Sequence, residues 1–367
     1  MARRETLRQI ADRLEPAVTR AFLDSVDRIK SDAQLGRIID AIAQNNVERV
    51  LQLLNLDGAY FAPLDRSLTA AYQEAGDTVM QAWKAQATVA GAQVRGVFDA
   101  RNPRAEEWLR TQSSRLITEI LGDQRENIRA LMVDNITKGT APRTTALDMV
   151  GRINRATGKR EGGIIGLHSR DVALRNEAFE ALRNTEKPGA IFRDGKWRKK
   201  FWIGRDGKLK SVYETRDSRF DPTVRKAIKD GRPIPAEKAR KMILGMENRM
   251  LKNRGETIAR TELLGSTNAA QEEGLNQLVE SGKVSAQNIK AKWDTADDGD
   301  QRDSHDAMDG QVRGHGEPFV SGLGNLLLHP GDRSLGAPAE DVINCRCTKR
   351  PDIDFIAQAA EDERAFA

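Results

Sequence analysis

The sequence predicts a mainly α protein, built from long amphipathic helices with a basic β-ribbon insertion and a small C-terminal α+β domain. Charged residues make up 31% of the 367-residue chain and aromatics only 5%, a balance that suits solvated helices better than a dense sandwich or barrel. Apolar residues recur at steps of three and four over much of the chain, the spacing that lines one face of a helix. Two Asp-Gly pairs set among aromatic and β-branched residues mark the exception, a hairpin ribbon.

The first stripe, Leu7, Ile10, Leu14, Val18, Phe22, Val26 and Ile29, predicts one long helix with Pro16 as its blemish. A second stripe runs Leu35, Ile38, Ile39 and Ile42. A third follows the capping candidates Asn45 and Asn46, with Val47, Val50, Leu51 and Leu54. Leu64, Leu68, Tyr72, Ala75, Val79 and Trp83 give another helix. The strongest is predicted from about Ala105 to Lys138, stopped by Gly139 and Pro142. His168 sits at a helix start beside Ser169. The glycine-rich stretch Ala156 to Leu167 lacks the spacing of a phosphate-binding loop and reads as a flexible linker.

Between Pro188 and Tyr213 the pairs Asp194-Gly195 and Asp206-Gly207 predict tight hairpin turns. The ribbon carries Arg193, Lys196, Arg198, Lys199, Lys200, Arg205, Lys208 and Lys210, interleaved with Phe192, Trp197, Phe201 and Trp202. Such a surface suits contact with nucleic acid or an acidic partner; the plainer reading is one buried aromatic face and one solvated basic face. A helix from Pro235 through Thr261, reaching toward Asn276, follows. The segments read as an N-terminal helical region (1–155), a middle helical region holding the ribbon (156–255), a C-terminal domain (256–350) and a tail (351–367).

The start of the chain lacks an apolar signal core, and no stretch approaches the ~18 uncharged apolar residues of a membrane span. Two cysteines argue against a disulfide scaffold, so a reducing cytoplasm and no membrane partner are expected. The net charge of +5, from 59 basic and 54 acidic residues, is that of a well-mixed surface.

Chemistry concentrates near the C-terminus. His305, His315, His329, both cysteines and the acids Asp297, Asp298, Asp300, Asp303, Asp306 and Asp309 lie between Trp293 and Cys347. A Cys-x-Cys pair is too short a loop for an easy mutual disulfide. It can turn two thiolates toward one soft cation, so His305, His329, Cys345 and Cys347 form a candidate zinc site, with His315 or Asp309 as substitutes. Two reduced, half-buried cysteines are the plainer alternative. The same acids and histidines also suit a hard metal with a histidine general base, as in a metal-dependent DNA nuclease or other hydrolase.

In order, "ETIARTE" (Glu256 to Glu262), Asn268, "KWDTADDGDQRDSHDAMDGQV", "PFVSG", "HPGD" and "NCRC" resemble the phage Mu F-like minor head proteins, also called head morphogenesis proteins of tailed bacteriophages. The resemblance marks Arg260, Glu262, Asn268, Trp293, Arg302, His305, Asp309, Gly310, Cys345 and Cys347 as signature positions. It implies a non-enzymatic minor capsid protein, assembled in the host cytoplasm and carried in the virion, at the capsid interior or portal vertex. The portal protein, the major capsid or scaffolding protein and packaged double-stranded DNA are the implied partners, and help with head assembly, DNA packaging or delivery the implied role. A DNA-binding accessory role is the further alternative. Arg260 and Glu262 are expected to pin the long helix to the small domain by ion pairing, Gly310 to supply a turn and Trp293 to anchor the core.

Overall fold

The computed structural model describes residues 5–90, 97–296 and 301–366; the acids at 297, 298 and 300 lie outside them. The chain is mainly α. Helices α1 (Leu7–Asp32), α2 (Leu35–Ala43), α3 (Val47–Leu54), α4 (Ala62–Val89), α5 (Pro103–Thr137) and α6 (Pro142–Val150) come first. The short strands β1 (Arg152–Ile153) and β2 (Arg160–Glu161) and helix α7 (Ser169–Arg183) follow. Next come β3 (Ala190–Arg193), β4 (Lys196–Lys199), β5 (Phe201–Ile203) and β6 (Leu209–Ser211), then α8 (Asp221–Asp230) and the 45-residue α9 (Ala236–Glu280). The C-terminal part holds β7 (Ile289–Asp294), α10 (Asp303–Asp306), β8 (Val312–Gly314), β9 (Phe319–Val320), β10 (Leu326–Leu327), α11 (Ala339–Val342), β11 (Thr348–Ile353) and α12 (Phe355–Phe366).

Two compact units emerge. One comprises Met1–Ala21, Pro63–Ser114 and Gly255–Ala367, the other Phe22–Ala62 and Arg115–Arg254. Both are discontinuous, so the linear segments 1–155, 156–255, 256–350 and 351–367 do not coincide with them.

In the first unit, Tyr72, Val79, Met80 and Trp83 from α4 bury against Leu275 and Leu278 of α9, and Tyr72 stacks on Trp108 at 5.1 Å between ring centroids. Antiparallel β11, β7 and β8 form a three-stranded sheet with β7 in the middle. Alternation along β7 sends Ile289, Ala291 and Trp293 inward, the period-2 pattern of a strand with one buried face. Trp293 and Phe319, 5.3 Å apart, centre a second small core that also contains Cys345 and Cys347.

Helix α1 is one long helix that runs through Pro16, as its apolar stripe predicts. The second unit corrects one expectation. The stretch ending at Leu167 is no linker: Ile164, Ile165 and Leu167 are buried. Ile164 and Ile165 N–H donate to the Asp148 and Met149 carbonyls, and side chains hold much of the rest. Gly162 N–H donates to Asn248 at 2.8 Å, Gly163 N–H to Glu247 at 2.9 Å and Gly166 N–H to Gln124 at 2.7 Å, while Leu167 O accepts from Gln124 and Asn127. Gly163 has φ +77°, and a Cβ there would lie 2.5 Å from Gly151 N and Met149 O, so close backbone packing explains the glycine. Around this plug sit buried charges. Arg175 pairs with Glu247 at 2.7 Å, and Lys30 Nζ donates to Gly162 O at 2.8 Å.

The ribbon resolves into two successive hairpins, β3–β4 and β5–β6. Asp194 and Gly195, at φ +53° and +70°, make the first turn, and Asp206 accepts from Lys208 N–H at the second.

Burial lowers the Lys30 pKa to about 8 despite the favourable Glu247 charge. The ammonium is thus harder to keep folded than unfolded, so unfolding takes up a proton between about pH 8 and the ordinary lysine range, and stability rises with pH across that window. Denaturant midpoints from pH 7 to 10 test this: Lys30→Met should flatten the rise by roughly 3 kcal/mol. A variant profile parallel to the parent's would assign the titration elsewhere.

Candidate metal centre

Three soft donors meet in the first unit. His305 Nδ1 lies 3.3 Å from Cys347 Sγ and 3.5 Å from Cys345 Sγ, and the three ligand atoms all fall within 4.8 Å of one another. Around a tetrahedral zinc with ordinary bond lengths, a nitrogen and a sulfur ligand sit about 3.6 Å apart. The donor set therefore fits a soft divalent cation in both type and spacing. Both cysteines are free and fully buried, rather than half-buried.

Local structure explains the convergence. Arg302 precedes α10, whose single turn lifts His305 inward, and the Arg302 guanidinium donates to Ile343 O at the entry to the cysteine loop. Asn344, at φ +55°, donates its N–H to Thr261 Oγ1 at 3.0 Å, bending the loop so that both sulfurs face His305. Cys347 N–H in turn lies 3.5 Å from Cys345 Sγ. The Trp293 ring meets the imidazole edge to face at 5.8 Å.

Behind His305 stands Asp341, which sequence reasoning missed. Its carboxylate is completely buried, 3.8 Å from His305 Nε2, and accepts from Ser304 at 3.0 Å, Ser321 at 2.8 Å and Asn325 at 2.6 Å. Burial alone would raise its pKa; the donors Asn325, Ser321 and Ser304, aided by His305, outweigh burial and hold it below the ordinary carboxylate value. A carboxylate on the far side of the ring favours the tautomer whose Nδ1 lone pair faces the sulfurs, an arrangement common behind metal-bound histidine. The available signal was its place four residues before Cys345.

One thiol is primed to ionise. A hydrogen bond from Cys345 stabilises a Cys347 thiolate, and His305 adds to this against the cost of burial; Cys345 is pushed the other way and keeps its proton. A cation would favour deprotonation of both.

The other candidates are placed elsewhere. His329 is buried but directs Nδ1 at the Pro330 carbonyl, 3.1 Å away, and is absent from the cluster. His315 lies 3.9 Å from Glu272. Asp309 accepts from both the N–H and the hydroxyl of Thr295, and Gly310, at φ +76°, makes the turn that follows. Arg260 and Glu262 do not pair together: Arg260 binds Glu15 at 2.9 Å, and Glu262 accepts from Gln112. Two residues apart on a helix, they point to different sides.

A cavity of about 200 Å³ reaches all three donor residues, walled by Arg260, Gln301, Arg302, Asn344 and Arg346. A family model described as Phage Mu protein F like protein matches residues 220–350. Residues 220–350 are thus similar to that family. No curated protein and no solved structure matches the chain. The matched segment contains every residue of the cluster, with Asp341 behind it.

The hairpins lie upstream of the Mu F-like match. Several of their cations are already neutralised. Arg193 and Lys200 both pair with Glu177, at 2.7 and 2.5 Å, and Arg198 pairs with Asp194 at 2.8 Å. Trp197 packs on Phe192 at 5.3 Å and under Lys187, while Trp202 is half-buried. Lys196, Lys199 and Lys208 are exposed and make no ion pair among the described residues.

Purified protein titrated with zinc against a chromophoric chelator should bind one ion per chain. Cys347→Ser or His305→Ala should abolish binding, and Asp341→Asn should weaken it roughly 10- to 100-fold. Wild-type affinity in Asp341→Asn would remove that carboxylate from the centre.

Proposed function

We propose that this chain is a minor structural protein of a tailed-phage head, sited at the portal vertex or capsid interior, where it assists head assembly, DNA packaging or DNA delivery. The match of residues 220–350 to the Mu F-like family carries the reading. It is supported by what the signature side chains do. Arg302 clamps the Ile343 carbonyl, Asn268 accepts from Lys349 N–H at 3.3 Å, and Trp293 is fully buried. These are fold-bracing roles, suited to a rigid non-enzymatic building block, and zinc is its structural cofactor.

The partners proposed are the portal protein and the major capsid or scaffolding protein. Packaged duplex DNA is a further contact, through Lys196, Lys199 and Lys208. Binding of that kind is driven by counterion release and weakens steeply with salt. Replacing the three lysines by alanine should lower the slope of log affinity against log salt by about 2–3. An unchanged slope would take the hairpins out of DNA contact.

Quantitative mass spectrometry of purified particles and DNA-free procapsids tests the main reading. The expected outcome is a few copies in both, varying with the portal. Absence from both would overturn it. Zinc-loaded protein should leave duplex DNA intact; cutting that disappears in His305→Ala would instead establish a nuclease.

A further inference from the structure

We propose that the cavity between the second hairpin and α8 is a pocket for an unpaired nucleotide, its base held by Trp202 and its phosphate by Lys208, Lys210 and Arg225. This goes beyond the duplex contact proposed above, with which it shares only Lys208.

The cavity measures about 570 Å³, a size usual for small-ligand sites. Local structure brings a ring and several cations to its walls. In the antiparallel register of β5 and β6, Trp202 stands directly opposite Lys210, so the two share one face of the hairpin. Lys208 just precedes β6 with its backbone fixed on both sides: its N–H donates to Asp206 Oδ1 at 3.1 Å, and its carbonyl accepts from Gly204 N–H at 2.8 Å. Helix α8 supplies the facing wall. Asp221 and Arg225, four residues apart, lie on one side of it, and Arg225 Nη1 donates to Gly207 O at 3.3 Å, tying the helix to the hairpin turn.

The charge in the cavity suits a phosphate. Lys208, Lys210, Arg216 and Arg225 all line it. The Asp221 carboxylate in the same wall is gripped at both oxygens by Arg216, at 3.2 and 3.1 Å, which sets one cation against it. Lys210 meets Asp206 at 3.3 Å, but both side chains are about half exposed, and a pair of that kind holds weakly against a stronger ligand. Arg225 uses one of its five N–H donors on Gly207, so that contact aims the guanidinium without exhausting it.

Trp202 decides which anion. A carboxylate side chain would use the cations and leave the indole idle. A nucleotide carries a flat ring beside its phosphate, and every base can stack on an aromatic side chain. In a duplex those base faces are already stacked on one another, so the partner is an unpaired or single-stranded segment.

Fluorescence anisotropy of a dye-labelled oligothymidylate and of a blunt-ended duplex, each titrated with the full chain, gives the readout. Trp202→Ala should weaken binding of the single strand roughly 5- to 150-fold without changing its salt slope, and Trp202→Phe should recover part of the loss. Arg225→Gln should lower that slope by about 0.7. Duplex binding should be indifferent to Trp202→Ala, with melting curves showing the variants folded. Equal losses for strand and duplex, no loss for either, or a strand that does not bind would overturn the inference. A polyglutamate peptide that displaces the strand and depends on Arg225 but not on Trp202 would overturn it in favour of an acidic protein segment. The duplex contact is read separately, from its own dependence on Lys196 and Lys199, and can survive any of these results.

Discussion

The hydrogen bonds converging on Asp341 hold the small sheet domain together. Strands of two to six residues supply few ladder bonds, and β9 pairs with β10 over only two positions. A buried carboxylate costs several kcal/mol unless donors surround it. Ser304, Ser321 and Asn325 supply them from α10 and from both sides of the turn between β9 and β10. Asp341 itself sits on α11, which leads directly into the cysteine loop. Satisfying one carboxylate therefore sets where His305 and the two sulfurs lie, and the ligand cluster follows from a polar network more than from the apolar core around it.

The second unit solves a similar problem with opposite parts. There the buried element is backbone, the stretch from Gly162 to Leu167, where the N–H groups of Gly162, Gly163 and Gly166 and the carbonyls of Gly162, Gly166 and Leu167 are met by Asn248, Glu247, Gln124, Asn127, Arg254 and Lys30. A chain with 5% aromatics has few large side chains with which to fill space. Glycine backbone packed against helices fills it here, and buried charges pair across it. Removing one member of such a network leaves another buried and unpaired, which costs more than the pair itself contributes.

Helices with regular stripes were legible, because burial of Leu64, Leu68, Tyr72, Val79 and Trp83 requires only helical spacing. The hairpin turns were legible from Asp-Gly: Asp194 and Gly195 both take positive φ, which few residue pairs accept, and Gly207 takes it at the second turn. The plug was not. Glycine permits both flexible chain and close packing, and sequence alone does not say which neighbours will approach. His305 and the two cysteines do come together, but histidine identity carries no direction, and His329 turns to a carbonyl instead. Asp341 escaped because, beside Glu340 in a four-residue helix, it resembles an ordinary solvated acid in a first turn.

Helix α9 explains why the signature spans so much sequence. Thr261, Leu264, Asn268 and Glu272 follow at intervals of three and four, and so share one face. Each meets the small domain. Thr261 receives the Asn344 N–H, Leu264 enters the core around Trp293, Asn268 receives the Lys349 N–H, and Glu272 pairs with Lys349. Apolar packing alone tolerates sliding, but directed polar contacts do not. A shift of one helical turn, 5.4 Å, would part all three polar pairs at once. The spacing from "ARTE" to "NCRC" thus encodes the register of a sheet against a helix, and the candidate metal centre sits where that register brings the cysteine loop beside His305.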